Sequence, residues 1–197
     1  MAKFNRAFAL FLILGTAAYG VVAYGFPPMG TVVHPDMQPA FVANATAISV
    51  HVFTAVFAMA LGPLQFSARL RQQRPNLHRW TGRLYLGVGV LVGGLAGLYI
   101  ARYAHGGWVA RLGFALLAVL WLYTGLRAYL AVRAGAIAEH RKWMVRNYAL
   151  TLAAVTLRLY VPLAVLAGLE FAVAYQIIAW LCWVPNLLVA EARYVRA

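Results

Sequence analysis

Six stretches of this chain are each about twenty residues long and almost wholly apolar. They run roughly over 7–25, 45–66, 80–102, 108–132, 147–169 and 171–191. A helix needs ~20 apolar residues to cross a bilayer, and backbone in lipid must satisfy its own hydrogen bonds. The pattern predicts an all-α polytopic membrane bundle with six transmembrane helices, a single domain over residues 1–197. Composition agrees: 64% of residues are hydrophobic and 11% are charged, against ~25% charged in soluble domains. A soluble enzyme, a disordered tail and a secreted scaffold are excluded. The first stretch is too long and too evenly apolar for a signal peptide, and no convincing small-x-small cleavage site follows it.

Seventeen basic residues against four acidic ones give a net charge of +13. These charges sit in short connections between apolar stretches, which argues against nucleic acid and for an orientation signal. One side would carry Lys3, Arg6, Arg69, Arg71, Arg74, Arg79, Arg83, Arg133, Arg141, Lys142, Arg146, Arg193 and Arg196. The other would carry Arg102 and Arg111, both at helix ends. An even number of spans and this bias place both termini in the cytoplasm. The first outer loop, Phe26 to Asn44, holds five Pro and Gly residues together with His34 and Asp36.

The single Cys182 excludes an intrachain disulfide and a thiolate metal cluster. No phosphate-binding glycine loop, nucleophile elbow or His-Glu-x-x-His motif is present. Four acidic residues are too few for a carboxylate metal cage or the usual proton relay, and a cation transporter would want more intramembrane acid.

The main chemical content is histidine. His51 lies about 10 Å into helix two at 1.5 Å per residue. His105 lies where helix three ends and helix four begins. His78 and His140 open helices three and five with matched surroundings: His78-Arg79-Trp80, Arg83 and Tyr85 in one, His140-Arg141, Trp143, Arg146 and Tyr148 in the other. Trp, Tyr and Arg anchor such segments at the interface. A b-type haem takes two axial imidazoles from different helices, and Arg pairs with its propionates. The inner pair fits that need, with Arg79, Arg83, Arg141 and Arg146 beside it. The plainer alternative is that these His and Arg side chains meet lipid phosphates and water.

Gly89, Gly93 and Gly97 share one face of helix three. They permit close helix packing or offer a flat face to a planar cofactor. Arg158 falls near the midplane and must face the bundle interior. Its expected roles are to hold a quinone oxygen or a propionate, or to lock two helices, with Glu170, Glu191 or Tyr160 as partners. Gln65, Asn147, Gln176, Asn186 and Glu191 are read as helix-end polar groups, mostly in interhelical hydrogen bonds. The tryptophans are read mostly as interface markers, Trp121 being the deeper exception.

His51, Gly62-Pro63-Leu64-Gln65-Phe66, Pro75, His78-Arg79-Trp80-Thr81-Gly82-Arg83-Leu84-Tyr85, Trp121 and His140 through Tyr148 resemble an uncharacterised bacterial family of predicted membrane proteins. That resemblance spans helices two to six and implies a bacterial inner-membrane location but no activity. Leu77-His78-Arg79-Trp80-Thr81-Gly82 also looks, more distantly, like the Leu-His-Ser-Trp-x-Gly of the cytochrome b561 family. The order His51, His78, His105, His140 is similar, with spacings of 27, 27 and 35. This second resemblance implies membrane electron transfer by one or two haem b groups, on His78 with His140 and on His51 with His105. Here Arg79 replaces the motif's Ser, and Val52 follows His51 in place of Pro. No lysine precedes helix three where an ascorbate site would want one, so the donor would be a quinol or another redox protein. A homodimer is compatible with this composition. The alternative is a haem-free membrane protein with a structural, assembly or small-solute transport role.

Overall fold

The computed structural model describes residues 2–195, with side chains from Ala7 onward; Lys3, Arg6 and Arg196 lie outside the described side chains. The described residues form helices and turns and no strand. Six helices are long and apolar enough to cross a membrane: α1 (Ala7–Gly25), α2 (Ala45–Gln65), α3 (Pro75–Ala101), α4 (Gly107–Arg133), α5 (Ile137–Leu166) and α6 (Phe171–Val195). Their outward faces are apolar, with Phe11, Leu95, Leu126 and Leu166 all exposed. Such a continuous apolar surface suits lipid, not water.

Helices α3 and α5 begin well before their apolar runs do. Pro75 occupies the first turn of α3, where its missing N–H costs nothing. Gly135, at φ +73°, turns the chain into α5. His78 and His140 therefore sit inside the first turns of formed helices. Gly106 and Gly107, at φ +89° and +70°, make the α3–α4 turn that side-chain-bearing residues would resist. The Glu170 carboxylate caps α6, accepting from Ala172 N–H (3.0 Å) and Val173 N–H (2.8 Å). Three of the long helices are irregular. Helix α3 widens to π geometry over Tyr85–Val92, α5 is interrupted at Leu152, and α6 breaks at Cys182 and Trp183, just before Pro185. The break in α6 places Pro185 in the first turn of the segment that follows, where its missing N–H is tolerated.

Helices α2 to α5 form a four-sided core. Edges α2–α3, α3–α4 and α4–α5 pack closely and α5–α2 more lightly, so α2/α4 and α3/α5 are the diagonals. Helix α1 covers α2 and the second half of α5, and α6 covers α4 and α5. The α2–α3 edge explains the glycine face. A Cβ on Gly89 would meet Ala58 at 2.6 Å, one on Gly93 would meet Thr54 at 2.8 Å, and one on Gly97 would meet His51 at 2.9 Å. Close packing is what these glycines permit, and α2 occupies the face that a planar cofactor would need.

The middle of the core is polar and closed. Tyr85 is fully buried and reaches across the α3/α5 diagonal. Its hydroxyl donates to Asn147 Oδ1 (2.7 Å) and lies 3.1 Å from Thr151 Oγ1. The Asn147 amide donates to the Trp121 carbonyl (2.8 Å) and to Thr124 Oγ1 (2.9 Å). Trp121 Nε1–H donates to Thr151 Oγ1 (2.9 Å). Each polar group in this layer finds a partner, as burial in a low-dielectric core requires.

Candidate functional site

The termini define one side of the bundle; the other is the distal side. On the terminal side, His140 Nδ1 lies 2.9 Å from the Ala128 carbonyl, near the end of α4. A carbonyl can only accept, so Nδ1 carries the hydrogen and Nε2 keeps its lone pair. This is the arrangement that orients metal-binding histidines. His78, on α3, is near enough to His140 to interact electrostatically, as are Arg71 and Arg79 to His78. His78 Nδ1 is buried without a hydrogen-bond partner.

The flanking residues repeat in space as they do in sequence. Arg83 lies over the Trp80 ring (5.1 Å), and Arg146 lies over the Trp143 ring (4.4 Å). Each is an i, i+3 pair on the opening turns of its helix, stabilised by a guanidinium over an indole face. The two arginines differ in what else they meet. Arg146 makes a two-pronged ion pair with Glu191 of α6, at 2.9 Å on both prongs. Glu191, one of the partners expected for Arg158, is thus committed to Arg146. Arg79, Arg83 and Arg141 are exposed and face the terminal side.

On the distal side a cavity of about 720 Å³ enters the bundle. That lies within the ~300–1,000 Å³ typical of small-molecule and cofactor sites. His51, His105, Arg111 and Arg158 all line it, and Trp121 and Thr151 of the polar layer close its inner end. His51 Nδ1 lies 2.8 Å from the Gly93 carbonyl, so here too the ring is fixed with Nε2 free. That carbonyl is the hydrogen-bond partner the ring of His51 finds. His105 sits among Phe171 and Tyr175, with ring centroids 5.4 and 6.4 Å away, and its Nε2 is buried without a hydrogen bond. Asp36 of the outer loop comes within 4.0 Å of that nitrogen and within 3.5 Å of His34 Nδ1. His34 stacks on Phe171 at 3.8 Å.

All four histidines singled out from the sequence thus fall into two groups at opposite ends of the core. His78 and His140 stand across the α3/α5 diagonal. His51 and His105 share one cavity. In each group one ring is held through Nδ1 by a backbone carbonyl, and the other has a buried nitrogen that makes no hydrogen bond. The imidazole donor sets fit axial ligation of haem iron. Among the described residues no group of three or more His, Cys, Asp or Glu side chains is placed to hold a bare metal ion.

Two features escaped the sequence. One is the Tyr85–Asn147–Thr151–Trp121 layer as a connected network: Asn147 is expected to bond between helices, but Tyr85 lies at the edge of its apolar run and reads as interfacial. Trp183, too, is core and not interface. The other is the Asp36–His34–His105 group, whose only trace is an acid and a histidine flanking Pro35. Four of the polar groups expected to bond between helices do so: Asn147 with Tyr85 (2.7 Å), Gln65 to Thr81 (2.9 Å), Asn186 with Thr156 (3.0 Å) and Glu191 with Arg146.

A family model described as "Predicted membrane protein (DUF2306)" matches residues 48–193, from α2 to near the end of α6. No curated protein and no solved structure matches the chain.

Proposed function

We propose that this chain, which belongs to the DUF2306 family of predicted membrane proteins, is a b-type haem protein that moves electrons across or within the membrane. The observation that carries this reading is the repeated histidine arrangement: two imidazole groups at the two ends of one bundle core, each with one carbonyl-oriented ring and one ring whose buried nitrogen makes no hydrogen bond. His78 and His140 would hold one haem b, and His51 and His105 a second within the distal cavity. Bound there, haem supplies one-electron redox chemistry.

The protein's own residues do the rest. The Ala128 and Gly93 carbonyls fix the tautomer and raise the basicity of His140 and His51. Arg79, Arg83 and Arg141 offer cations to propionates at the terminal side, while Arg146 already shares its charge with Glu191. The apolar walls keep water away, which raises the sensitivity of a redox centre to nearby charge. The Lys/Arg distribution supports a cytoplasmic terminal side and a cytoplasmic-membrane location. A quinol in the bilayer or another redox protein would be the electron donor.

The test is a reduced-minus-oxidised absorption spectrum of the detergent-purified protein, with haem quantified as the pyridine complex. About two low-spin haems per chain are expected. One per chain, lost in His78→Ala and His140→Ala but kept in His105→Ala, would restrict the reading to the terminal pair. A colourless protein from a haem-supplied host would sink it and leave a haem-free transport or structural role.

A further inference from the structure

Arg111 and Arg158 are the two cationic side chains of the distal cavity, and the Nε of each is buried without a partner. Arg158 lies eight residues, about 12 Å, from the distal end of α5. It donates from Nη1 to its own helix, at the Ala154 carbonyl (3.1 Å), and packs 5.5 Å from the Tyr19 ring. It is within electrostatic reach of His51, Tyr24 and Tyr175. Arg111 is one turn into α4, 5.8 Å from the Trp108 ring. The acid on the cavity wall is Asp36, which lies against His34 and His105. A guanidinium at membrane depth is costly without a counter-charge. The cavity therefore has apolar walls, a cationic interior and no carboxylate at Arg158.

We propose that this cavity takes an apolar molecule bearing a carboxylate, and that Arg158 holds the carboxylate while Arg111 draws the anion in at the entrance. The guanidinium fork matches a carboxylate in shape and charge, and a cationic cleft with low-dielectric walls concentrates anions. Ile48, Val52, Leu117 and Leu157 would take the apolar body. A neutral quinone would leave the charge of Arg158 uncompensated. Two sources offer the required chemistry: the propionates of a haem, and a long-chain carboxylate drawn from the bilayer. The inference goes beyond the haem reading and stands without it.

The test uses the whole protein in nanodiscs of zwitterionic lipid, prepared from haem-supplied and from haem-deprived cells. It is titrated with a brominated stearate, which quenches tryptophan, and with the alcohol of equal length and bromination. Trp121 on the cavity wall is the reporter. If the bilayer is the source, haem-free protein shows saturable quenching by the acid and not by the alcohol. Arg158→Gln should weaken that binding at least tenfold, and Arg158→Lys by much less. If haem is the source, the acid fails to bind haem-loaded protein and Arg158→Gln loses at least half of the bound haem. Equal binding of acid and alcohol, together with unchanged haem content in Arg158→Gln, overturns the proposal. Should Arg158→Gln not assemble, Arg111→Gln takes its place, and unchanged acid affinity and haem content there overturn it equally. A colourless protein that binds the acid through Arg158 would end the haem reading and leave this one standing.

Discussion

Asn147 is wholly buried and uses both ends of its amide, accepting from Tyr85 and donating to the Trp121 carbonyl and Thr124. Nothing in its immediate sequence distinguishes it from a polar group at a helix end, since Arg146 precedes it and the apolar run of α5 follows. Its role comes from the partners that α3 and α4 bring to it. Asn147→Leu should cost about 1–3 kcal/mol, because it removes three buried hydrogen bonds at once, although Tyr85 keeps Thr151 and Thr124 keeps the Leu120 carbonyl as partners. Tyr85→Phe should cost about 1–3 kcal/mol as well, since it leaves the buried Asn147 Oδ1 without its donor while Thr151 keeps its bond to Trp121. Unfolding midpoints in mixed detergent and denaturant, with each variant compared to wild type, check both; a neutral Asn147→Leu would show that the layer adds no stability. The histidines were easier to read, because a polar ring inside an apolar run stands out however the helices pack. Their orienting carbonyls were not, since a backbone acceptor leaves no trace in sequence.

The six helices were legible because span length is a property of one segment and the bilayer. Their irregularities were less so. The π stretch of α3 and the break in α6 answer to neighbours packed against them, and only Pro185 hinted at one. Helix α6 has a start that local chemistry does specify. Glu170 lies outside the spans, and its carboxyl is held below the usual range by the amide hydrogens of Val173 and Ala172, with a smaller effect of His105. Because the folded value is lowered, the cap contributes fully above the ordinary carboxylate pKa of ~4.3 and is lost as pH falls through the lower folded value. Glu170→Ala should therefore lower the thermal midpoint at pH 7. The gap between variant and wild type should close as pH drops below ~4. A pH-independent gap would mean that the side chain acts through packing and not as a charged cap.

For the whole molecule, the diagonal arrangement of α2 to α5 is what sets histidines from separate helices at the two ends of the core. Sequence order could suggest pairs at matched height, but it could not show which helices face each other across the axis. The cytochrome b561 likeness supplied that expectation from four histidines and one short motif, and no solved structure adds to it. The distal cavity was not legible at all, because it is a space between six helices and a folded loop. Protein-loaded vesicles should hold a proton or small-dye gradient as long as empty ones do. A decay that depends on the protein would reveal an axial path and favour the small-solute transport alternative.

That expectation comes from the buried layer of Tyr85, Trp121, Asn147 and Thr151: Trp121 and Thr151 line the distal cavity, and Tyr85 and Asn147 are hydrogen-bonded to them. Seen from the distal side, the bundle is a cul-de-sac. A molecule can dock against Arg158 and His51, but every polar group ahead of it is already satisfied and offers no stepping stone. Such a layer is a bulkhead to matter.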